Sequence, residues 1–400
     1  MAPRAGAAAA GGPAGPGLRI EPVRGRSGLE AFIALPERLY AGRRGYVAPL
    51  RLERRQALSP RSNPYFEHAT AQFWVAWRGG RPVGRISAQV DRLHLAQHRD
   101  DTGHFGFLDA EDDADLFRAL TATAESWLRA QGMRRILGPL NLSINEEIGL
   151  LVDGFEERPM MMMGFSPPYA GPRLEAQGYV KAKDVLAYDY NIARDVSERT
   201  RQRMRRARRD PGIEVRTLDM ARFHDELALA IDIFNDAWSQ NWGFVPFTRA
   251  EIEAVAKAMR PLVRPELVAF ASVGGEPAAM LVALPNLNDA IADLNGRLLP
   301  FGWARLLWRL KVGRPQSVRV LLMGVRRKHH GGPIGSALML AMFDSFYEGM
   351  RRLGIDHAEL SWILEDNRPM RAVLGGLGAR VYKTYRIYEK ALEPGPGGPP

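Results

Sequence analysis

A short turn in the last quarter of the chain carries residue types that bind phosphate. The turn, residues 326–332, reads Arg-Arg-Lys-His-His-Gly-Gly, follows an apolar, β-prone run at Val318–Val325 and precedes a helix predicted over 334–352. A glycine-rich turn of this kind exposes backbone N–H groups at the positive end of the helix dipole, where anions bind. The glycines alone are equally compatible with an ordinary strand-to-helix turn. The elements downstream decide between the two interpretations.

Those elements have a characteristic order. They are an apolar strand at 358–363, an asparagine-containing turn at 365–369, a short helix at 370–377 and an alternating strand at 380–389. The whole series resembles the GCN5-related N-acetyltransferase (GNAT) superfamily, whose signature Gln/Arg-x-x-Gly-x-Gly/Ala falls on residues 330–335. There are two departures. His330 stands where Arg or Gln is usual, and Pro333, a residue suited to the first position of a helix, replaces a glycine.

The resemblance implies a coenzyme A site in this part of the chain. Backbone groups of Met323–Val325 would hold the pantetheine arm, and an N–H there would polarise the thioester carbonyl as an oxyanion hole does. The diphosphate would lie on 331–336, with the charges of 326–328 nearby and one N–H donor lost at Pro333. The predicted donor-binding residues are Met323, Gly324, Val325, Arg326, His330, Gly331, Gly332, Ile334, Gly335, Ser336 and Asn367, the last matching the family's asparagine beside coenzyme A.

Acyl transfer to an amine also needs groups that move protons. The resemblance implies Glu359 as the base, since family members can place a carboxylate on this strand that deprotonates the amine, often through water. The alternative is that Glu359 faces solvent. Many members protonate the leaving thiolate with a tyrosine whose position falls near Leu374, and the final strand offers Tyr382, Tyr385 and Tyr388 instead. Tyr385 is the predicted acid, with packing of these aromatics and catalysis by positioning alone as alternatives.

Two segments are candidates for the acceptor site. Residues 234–244 lie between the first helices of the second half, where this fold usually binds the acceptor, and residues 141–147 are followed by a run of methionines at 160–163. Methionine gives a soft apolar surface that adapts to a flexible chain. Packing within or between domains explains both segments equally well. The predicted acceptor-binding residues are Trp238, Trp242, Phe244 and Asn145.

Composition limits the class of protein. The chain has 400 residues, a formal charge of +10 and no cysteine, which excludes disulfides, thiolate metal sites and cysteine nucleophiles. No metal is expected. Residues 1–17 and 393–400 are predicted to be disordered tails, and no run is long and apolar enough to cross a bilayer. Since the first tail also lacks the features of a secretory signal, we expect a cytoplasmic protein, or one peripheral on the inner membrane.

Two cationic stretches bear on partners. Residues 199–209 hold seven arginines in eleven positions, and residues 297–319 hold six Lys/Arg and no acid. The first favours a solvated interdomain helix over a nucleic-acid site, since no nucleic-acid-binding module accompanies it. In the second, residues 298–311 place Trp, Phe and Leu beside Arg and Lys, as in helices that lie in a membrane interface. A helix packed on the protein is the alternative. Interfacial binding would favour an amine-bearing lipid as acceptor and a long acyl chain.

The two halves of the chain repeat one order of elements: helix, hairpin, strand, long helix, strand and final strand. We predict an α+β protein of two tandem GNAT-like domains, each a mixed central sheet flanked by helices. The predicted bounds are 18–192 for the N-terminal domain, 193–212 for an arginine-rich linker helix and 213–392 for the catalytic domain. In the first domain the turn before the long helix, 108–113, contains four acidic residues, which suit a helix start but repel a diphosphate. That domain is expected to lack a coenzyme A site.

The predicted function is an acyl-CoA-dependent N-acyltransferase acting on a primary amine. Tandem architecture and the segment 298–311 are also similar to bacterial ceramide synthase-type proteins, which implies a sphingoid base as acceptor and a long-chain acyl-CoA as donor. Two alternatives stay open: an acetyltransferase acting on a small polyamine or amino acid, and a binding protein that kept the fold without catalysis. The departures at His330, Pro333 and Leu374 favour the second of these.

Overall fold

The computed structural model describes residues 17–393. Within them the chain forms one mixed sheet of 13 strands, with helices packed on the strands, and a separate two-stranded ribbon. The predicted tails 1–17 and 393–400 lie outside the described residues, apart from Gly17 and Glu393. The predicted α+β architecture, a mixed sheet flanked by helices, is confirmed.

Both halves alternate short strands with helices. The elements of the N-terminal half are β1 (Leu18–Pro22), α1 (Gly25–Leu39), α2 (Arg51–Ala57), α3 (Tyr65–His68), β2 (Ala69–Arg78), β3 (Arg81–Asp91), α4 (Arg92–His98), β4 (Thr102–Ala110), α5 (Ala114–Ala130), β5 (Arg135–Gly138), β6 (Leu140–Asn141), β7 (Glu147–Ile148), β8 (Leu150–Asp153), α6 (Ala170–Glu175) and β9 (Val180–Asn191). Those of the C-terminal half are α7 (Glu198–Arg208), β10 (Ile213–Thr217), α8 (Phe223–Trp238), α9 (Arg249–Met259), β11 (Val268–Val273), β12 (Glu276–Pro285), α10 (Leu287–Ile291), α11 (Gly302–Lys311), β13 (Ser317–Val325), α12 (Pro333–Leu353), β14 (His357–Leu364), α13 (Arg368–Gly376) and β15 (Arg380–Ala391).

The predicted long elements are present, with ends that differ by a few residues. The predicted acidic turn at 108–113 is shorter than predicted, because residues 108–110 complete β4 and only 111–113 form the turn. The region 286–317 contains the helices α10 and α11. No sequence pattern predicts β1, α2–α4 or β6–β8, since segments of this length carry little periodic signal.

The last strand of each half lies against strands of the other half. The strand order is β1-β2-β3-β4-β5-β15-β9-β14-β13-β12-β11-β10, and β8 also pairs with β15. β15 runs antiparallel to β5, and β9 runs antiparallel to β14. The two exchanged strands also pair with each other over most of their length. The halves therefore share one continuous sheet.

Each half contains one pair of parallel strands. The ladder between β4 and β5 joins 102–104 to 135–137, and the ladder between β13 and β14 joins 317–320 to 357–360. No ladder pairs continue beyond these residues, although β4, β13 and β14 extend further. In each half the first strand of the pair leads into the longest helix, α5 or α12. Where each ladder stops, a gap lies between the two parallel strands, and this gap occurs in both halves.

The position of α12 follows from its apolar face. Leu338, Met342, Phe346 and Met350, each four residues apart, are buried in one core. Burying such side chains stabilises the fold by about 1.5–3 kcal/mol each. The helix ends at Gly354, whose φ of +68° is the left-handed conformation that glycine adopts without strain.

The arginine-rich helix α7 packs along α12 with one face. Arg201 donates to Glu348 at 2.8 Å, and Arg208 donates to Asp344 at 3.4 Å. The arginines at 199, 203, 205, 206 and 209 are exposed.

Among residues 17–393, no helix combines the length and the apolarity that a bilayer span requires.

Candidate active site

The turn between β13 and α12 leaves the first backbone N–H groups of α12 without a cap from any described side chain. Gly331 has φ +71°, Gly332 is the N-cap residue and Pro333 takes the first helical position. No described side chain caps the first N–H groups of the helix. A Cβ at Gly335 would overlap the carbonyl oxygen of His329, so this position requires glycine. The helix start presents uncapped N–H groups and the positive end of a 21-residue helix, which suits a phosphate.

Carboxylates on neighbouring elements pair with basic side chains of the turn. Arg326 contacts Asp232 of α8, and Lys328 contacts Glu276 of β12. The side chains of Asp232 and Glu276 are 64% and 72% exposed, so water and salt screen both pairs. A diphosphate carries more charge than either carboxylate and would compete for the same cations.

Side-chain contacts mark which backbone groups of β13 face away from β12. The indole N–H of Trp238 donates to the carbonyl oxygen of Met323 at 3.3 Å, and His330 Nε2 lies 2.6 Å from the carbonyl oxygen of Val325. The N–H and C=O of one residue point the same way in an antiparallel strand, so the N–H groups of Met323 and Val325 face the gap beside β14. A Cβ at Gly324 would press on α8 at 3.0 Å. His330 thus braces the turn against β13.

Three further residues predicted to bind the donor lie at helix starts. Ile334 and Ser336 are exposed in the first turn of α12. Asn367 is the N-cap of α13, where its side-chain oxygen accepts the N–H of Met370 at 3.2 Å. The NH₂ group of Asn367 makes no hydrogen bond within residues 17–393.

Glu359 lies fully buried in β14, within the parallel ladder. Its carboxylate accepts the hydroxyl of Ser361 at 2.5 Å and the hydroxyl of Tyr382, and Arg319 Nε lies 3.5 Å away. Arg319, on β13, also donates to Ser361 at 2.9 Å. Burial raises the pKa of Tyr382 and lowers that of Arg319. The alternative that Glu359 faces solvent is therefore wrong: it is a buried carboxylate with a counter-ion and two hydroxyl donors.

Two further polar groups of β15 are buried nearby. Lys383 donates to the carbonyl oxygen of Arg158 at 2.6 Å, and burial lowers its pKa to about 8. Tyr385 is fully buried, burial raises its pKa, and its hydroxyl has no hydrogen-bond partner in the described part of the chain. The contact with Glu359 is made by Tyr382, whereas the predicted acid was Tyr385.

The methionine run 160–163 forms a wall beside the buried carboxylate. Arg319 Nη1 donates to the carbonyl oxygen of Met161 at 2.8 Å, and the indole of Trp362 donates to Met163 Sδ at 2.8 Å. Met160 and Met163 belong to one apolar cluster with Trp362 at its edge. This wall is apolar and adaptable, and it is fixed to the polar cluster by hydrogen bonds.

The two segments predicted to bind the acceptor lie against each other. Asn145 Nδ2 donates to the carbonyl oxygen of Val245 at 3.1 Å. Trp242 packs at the edge of the apolar cluster that also contains Tyr382, whereas Phe244 is buried in the core of the second half. The structure therefore places Asn145 against Val245 and Trp242 in the cluster next to Tyr382, gives Phe244 a packing role, and places Trp238 over the backbone of β13.

The comparisons with known proteins decide the family. The chain matches no family model. It is 48% identical over 377 residues to the bacterial ceramide synthase of Caulobacter vibrioides, a match that covers 94% of this chain and 98% of the other. It is 42% identical over 369 residues to Protein YghO of Escherichia coli, covering 92% and 94%. The chain belongs to the family of these proteins.

Solved structures of the same fold are GNAT proteins. A tandem GNAT protein from the clavulanic acid biosynthesis pathway matches with a TM-score of 0.54 at 16% identity, covering 95% of this chain and 100% of the other. A GCN5-related N-acetyltransferase from Sphaerobacter thermophilus matches with a TM-score of 0.52 at 13% identity, covering 96% and 98%. The predicted tandem GNAT fold is confirmed. The family and the fold together make the chain an N-acyltransferase, and acyltransferases of this fold use an acyl-CoA as donor.

In this N-acyltransferase the N-terminal half fills the gap that the C-terminal half leaves open. Asp113 caps α5 by accepting the N–H groups of Asp115 and Leu116 at 2.9 and 3.0 Å. Beyond the β4–β5 ladder, Asn141 Oδ1 accepts the N–H of Phe107 at 2.7 Å. The chain's own side chains therefore occupy the helix start and a strand N–H group in the N-terminal half, whereas in the C-terminal half no described side chain caps the helix start and the side chains on β13 contact carbonyl oxygens.

Sequence reasoning missed Arg319, Ser361 and Lys383. A signal for the first was present: Arg319 is the only charged residue in the apolar run 318–325, as Glu359 is in 358–363. Charged residues are rarely buried unless paired, so opposite charges inside two neighbouring buried strands indicate a buried ion pair.

Proposed function

We propose that this N-acyltransferase moves a long acyl chain from coenzyme A to the amine of a lipid, a sphingoid base. The observation that carries the proposal is the position of the fully buried Glu359. It lies on β14 near the point where the ladder with β13 ends, and β13 is the strand that leads to the uncapped start of α12. The 48% identity to a protein named bacterial ceramide synthase supports the choice of acceptor. The N-terminal half, in this proposal, holds no donor.

The donor is proposed to bind along β13 and at the start of α12. The N–H groups of Met323 and Val325 would hold the pantetheine arm, one of them serving as the oxyanion donor. The uncapped N–H groups of 331–336 would hold the diphosphate, with the guanidinium of Arg326 beside it. The NH₂ group of Asn367, at the start of α13, is proposed as a further hydrogen-bond donor to coenzyme A.

Glu359 is proposed to receive the proton of the acceptor amine. The amine nitrogen then forms a bond to the thioester carbonyl carbon, and the carbon–sulfur bond breaks to give the amide and the thiolate of coenzyme A. Tyr382, which its raised pKa keeps protonated, passes its proton to the thiolate and regains one from Glu359 through their direct hydrogen bond. Arg319 offsets the charge of the buried carboxylate, and Tyr385 remains a second candidate for the acid.

The apolar wall beside this cluster is proposed to contact the hydrocarbon of the substrates. Met160, Met163, Trp242 and Trp362 lie in one cluster next to Tyr382. Each CH₂ group that leaves water contributes about 0.8 kcal/mol, so a long chain gains much more from such a wall than an acetyl group does.

A thiol-release assay tests this function directly. Palmitoyl-CoA and acetyl-CoA are each combined with sphinganine, spermidine and a free amino acid. We expect release with palmitoyl-CoA and sphinganine to exceed every other pair by at least about tenfold in kcat/KM. Saturation by acetyl-CoA with indifference to palmitoyl-CoA would replace the lipid function with a small-amine acetyltransferase. No release, together with no heat on titration of coenzyme A, would leave a binding protein without catalysis.

Peripheral contact with a membrane through residues 298–311 belongs to the same proposal. A sphingoid base resides in lipid, so the enzyme must meet it at a bilayer surface. The structure of α11 allows this part of the proposal to be developed further.

A further inference from the structure

A cluster of large apolar side chains is exposed on and around α11. Of the ten exposed large hydrophobic residues in 17–393, six fall within residues 299–312. Their exposed fractions are 80% for Leu299, 76% for Phe301, 51% for Trp303, 47% for Leu307, 61% for Trp308 and 68% for Val312. Apolar side chains gathered in this way on a surface mark an interaction site.

The opposite face of α11 is anchored to the protein. Leu306 and Leu310 are partly buried against two separate cores. Arg305 and Arg309 both pair with Asp293, at 2.9 and 2.5 Å. At 100° per residue, Leu307 and Trp308 fall on the side away from these contacts, whereas Trp303 lies at the edge of that side and is 51% exposed. The outward apolar face is thus held in place by specific contacts and has no partner within residues 17–393.

The surroundings of this face are positively charged. Arg297, Lys311 and Arg314 make no ion pair with any described residue, and residues 297–319 contain no acid. A cavity of about 270 Å³ beneath α11 is lined by Trp308, Arg264, Arg309 and Arg314. Its one carboxyl group, Asp289, accepts the hydroxyl of Ser317 at 2.5 Å, and burial raises its pKa. An apolar face with free cations around it matches an anionic bilayer, with tryptophan at headgroup depth.

The position of α11 relates it to the proposed active site through the strand β13. α11 precedes β13, and the donor turn follows β13, so the two lie at opposite ends of a nine-residue strand of about 30 Å. Arg319 is the third residue of β13 and pairs with Glu359, so the buried carboxylate lies nearer the α11 end. A lipid acceptor entering from the α11 end would meet a donor entering from the turn.

We propose that α11 and the loop before it dock the enzyme on an anionic lipid bilayer, with an anionic headgroup at the arginine-lined cavity. This inference rests on the proposed function for the reason why the enzyme would bind lipid. The observations on α11 do not depend on that function. A second copy of the chain is a poorer occupant of the same face. A two-fold contact would place Lys311 and the flanking arginines of one copy against those of the other.

Vesicle flotation tests the docking. Vesicles of equal parts phosphatidylcholine and phosphatidylglycerol are compared with vesicles of phosphatidylcholine alone. We expect the wild type to float with the anionic vesicles, less so as salt is raised, and the double variant Trp303→Ser/Trp308→Ser to bind at least about tenfold more weakly. Arg314→Gln should reduce the preference for phosphatidylglycerol. Leu52→Ser, which removes a side chain that is 51% exposed elsewhere, is the matched control and should float like the wild type.

Activity measurements separate this inference from the proposed function. With a short-chain amine dispersed in water the double variant should turn over like the wild type, whereas with sphinganine in anionic vesicles its rate should fall in parallel with binding. A wild type that floats but transfers no acyl group would contradict the proposed function and leave the docking standing. Three results would each overturn the docking. The first is equal flotation of the wild type and the double variant, and the second is equal binding to both vesicle types. The third is light scattering that shows a dimer for the wild type and a monomer for the double variant.

Discussion

The two halves build the same strand pair and long helix, and they treat the space beyond that pair in opposite ways. In the C-terminal half the third pair of the parallel ladder is Arg319–Glu359, and α12 begins at Gly332 without a side-chain cap. In the N-terminal half the third pair is His104–Leu137, and α5 begins at Asp113 with one. The repeat shows that the fold provides a gap and a helix start in both halves, and that the side chains at corresponding positions differ between them.

The acidic turn of the N-terminal half is neutralised as well as closed. Arginines pair with its three acids and with Asp109 at the end of β4: Glu111 with Arg38 and Arg81, Asp112 with Arg173, Asp113 with Arg78, and Asp109 with Arg85. Each of these five arginines contacts a carboxylate of the same half, so none of them is without an acidic partner. The basic turn of the C-terminal half instead pairs with exposed carboxylates, which in the proposed function a phosphate would replace.

The N-terminal half nevertheless supplies part of the site. The carbonyl oxygen of Arg158 holds Lys383, and that of Met161 holds Arg319. β9, also from this half, pairs with β14 at residues 357–360, and Glu359 itself lies opposite Asp189. In the proposed site one half would therefore provide the reacting groups, and the other provides much of the wall around them.

Replacing the buried carboxylate should have the largest effect. Glu359→Gln keeps the shape of the side chain but cannot accept a proton, and we expect kcat to fall about 10²- to 10⁴-fold while coenzyme A still binds. The matched control is Asp109→Asn, the same change at a buried carboxylate of the other half, which should lower the melting temperature and preserve kcat. Full activity in Glu359→Gln, or equal losses of kcat in both variants, would remove the proposed base.

Transplanting the closed helix start should have an intermediate effect. Gly332→Asp gives α12 the cap that α5 has, and no atom lies within 4 Å of the added Cβ. The carboxylate would repel the diphosphate, so we expect coenzyme A to bind about tenfold more weakly by calorimetry.

Two variants serve as controls for that result. Gly332→Asn caps the helix without a charge, so it takes the same N–H groups but does not repel the diphosphate; it should weaken binding less than Gly332→Asp does, with stability raised by a few tenths of a kcal/mol. Asp113→Gly opens the start of α5 and should leave affinity unchanged. If the neutral cap weakens binding as much as the charged one, charge is not the cause.

The smallest predicted effect concerns the contact between the halves. His68 bridges Asp91 and Glu251, at 2.9 and 3.2 Å. Burial alone would lower the pKa of His68, but the two carboxylates raise it from 6.5 to about 9. Because the folded-state pKa is the higher one, the stabilisation is complete below pH 6.5 and is lost as the pH rises to about 9.

Denaturant unfolding at several pH values measures this. The free energy of unfolding of the wild type should fall by about 2 kcal/mol more than that of His68→Gln across the same pH window. Parallel pH profiles for the two proteins would show that the bridge does not titrate as described.

The sequence revealed the parts of the site that depend on local patterns. Glycine and proline mark the turn at 331–335, and short apolar runs mark β13 and β14 around Glu359. The exchange of β9 and β15 was beyond reach, because an alternating pattern predicts a strand but not its neighbour. That Tyr382, rather than Tyr385, contacts Glu359 could not be predicted for a related reason. β15 has a register shift between Val381 and Lys383, so counting along the strand does not give the side that each tyrosine faces.

Amide hydrogen exchange with and without coenzyme A tests the central claim most directly, since it reports on both halves at once. The account predicts slower exchange at 323–325 and 331–336 when coenzyme A is bound, and no change at 105–117. Slower exchange at the start of α5, with none at the start of α12, would contradict it.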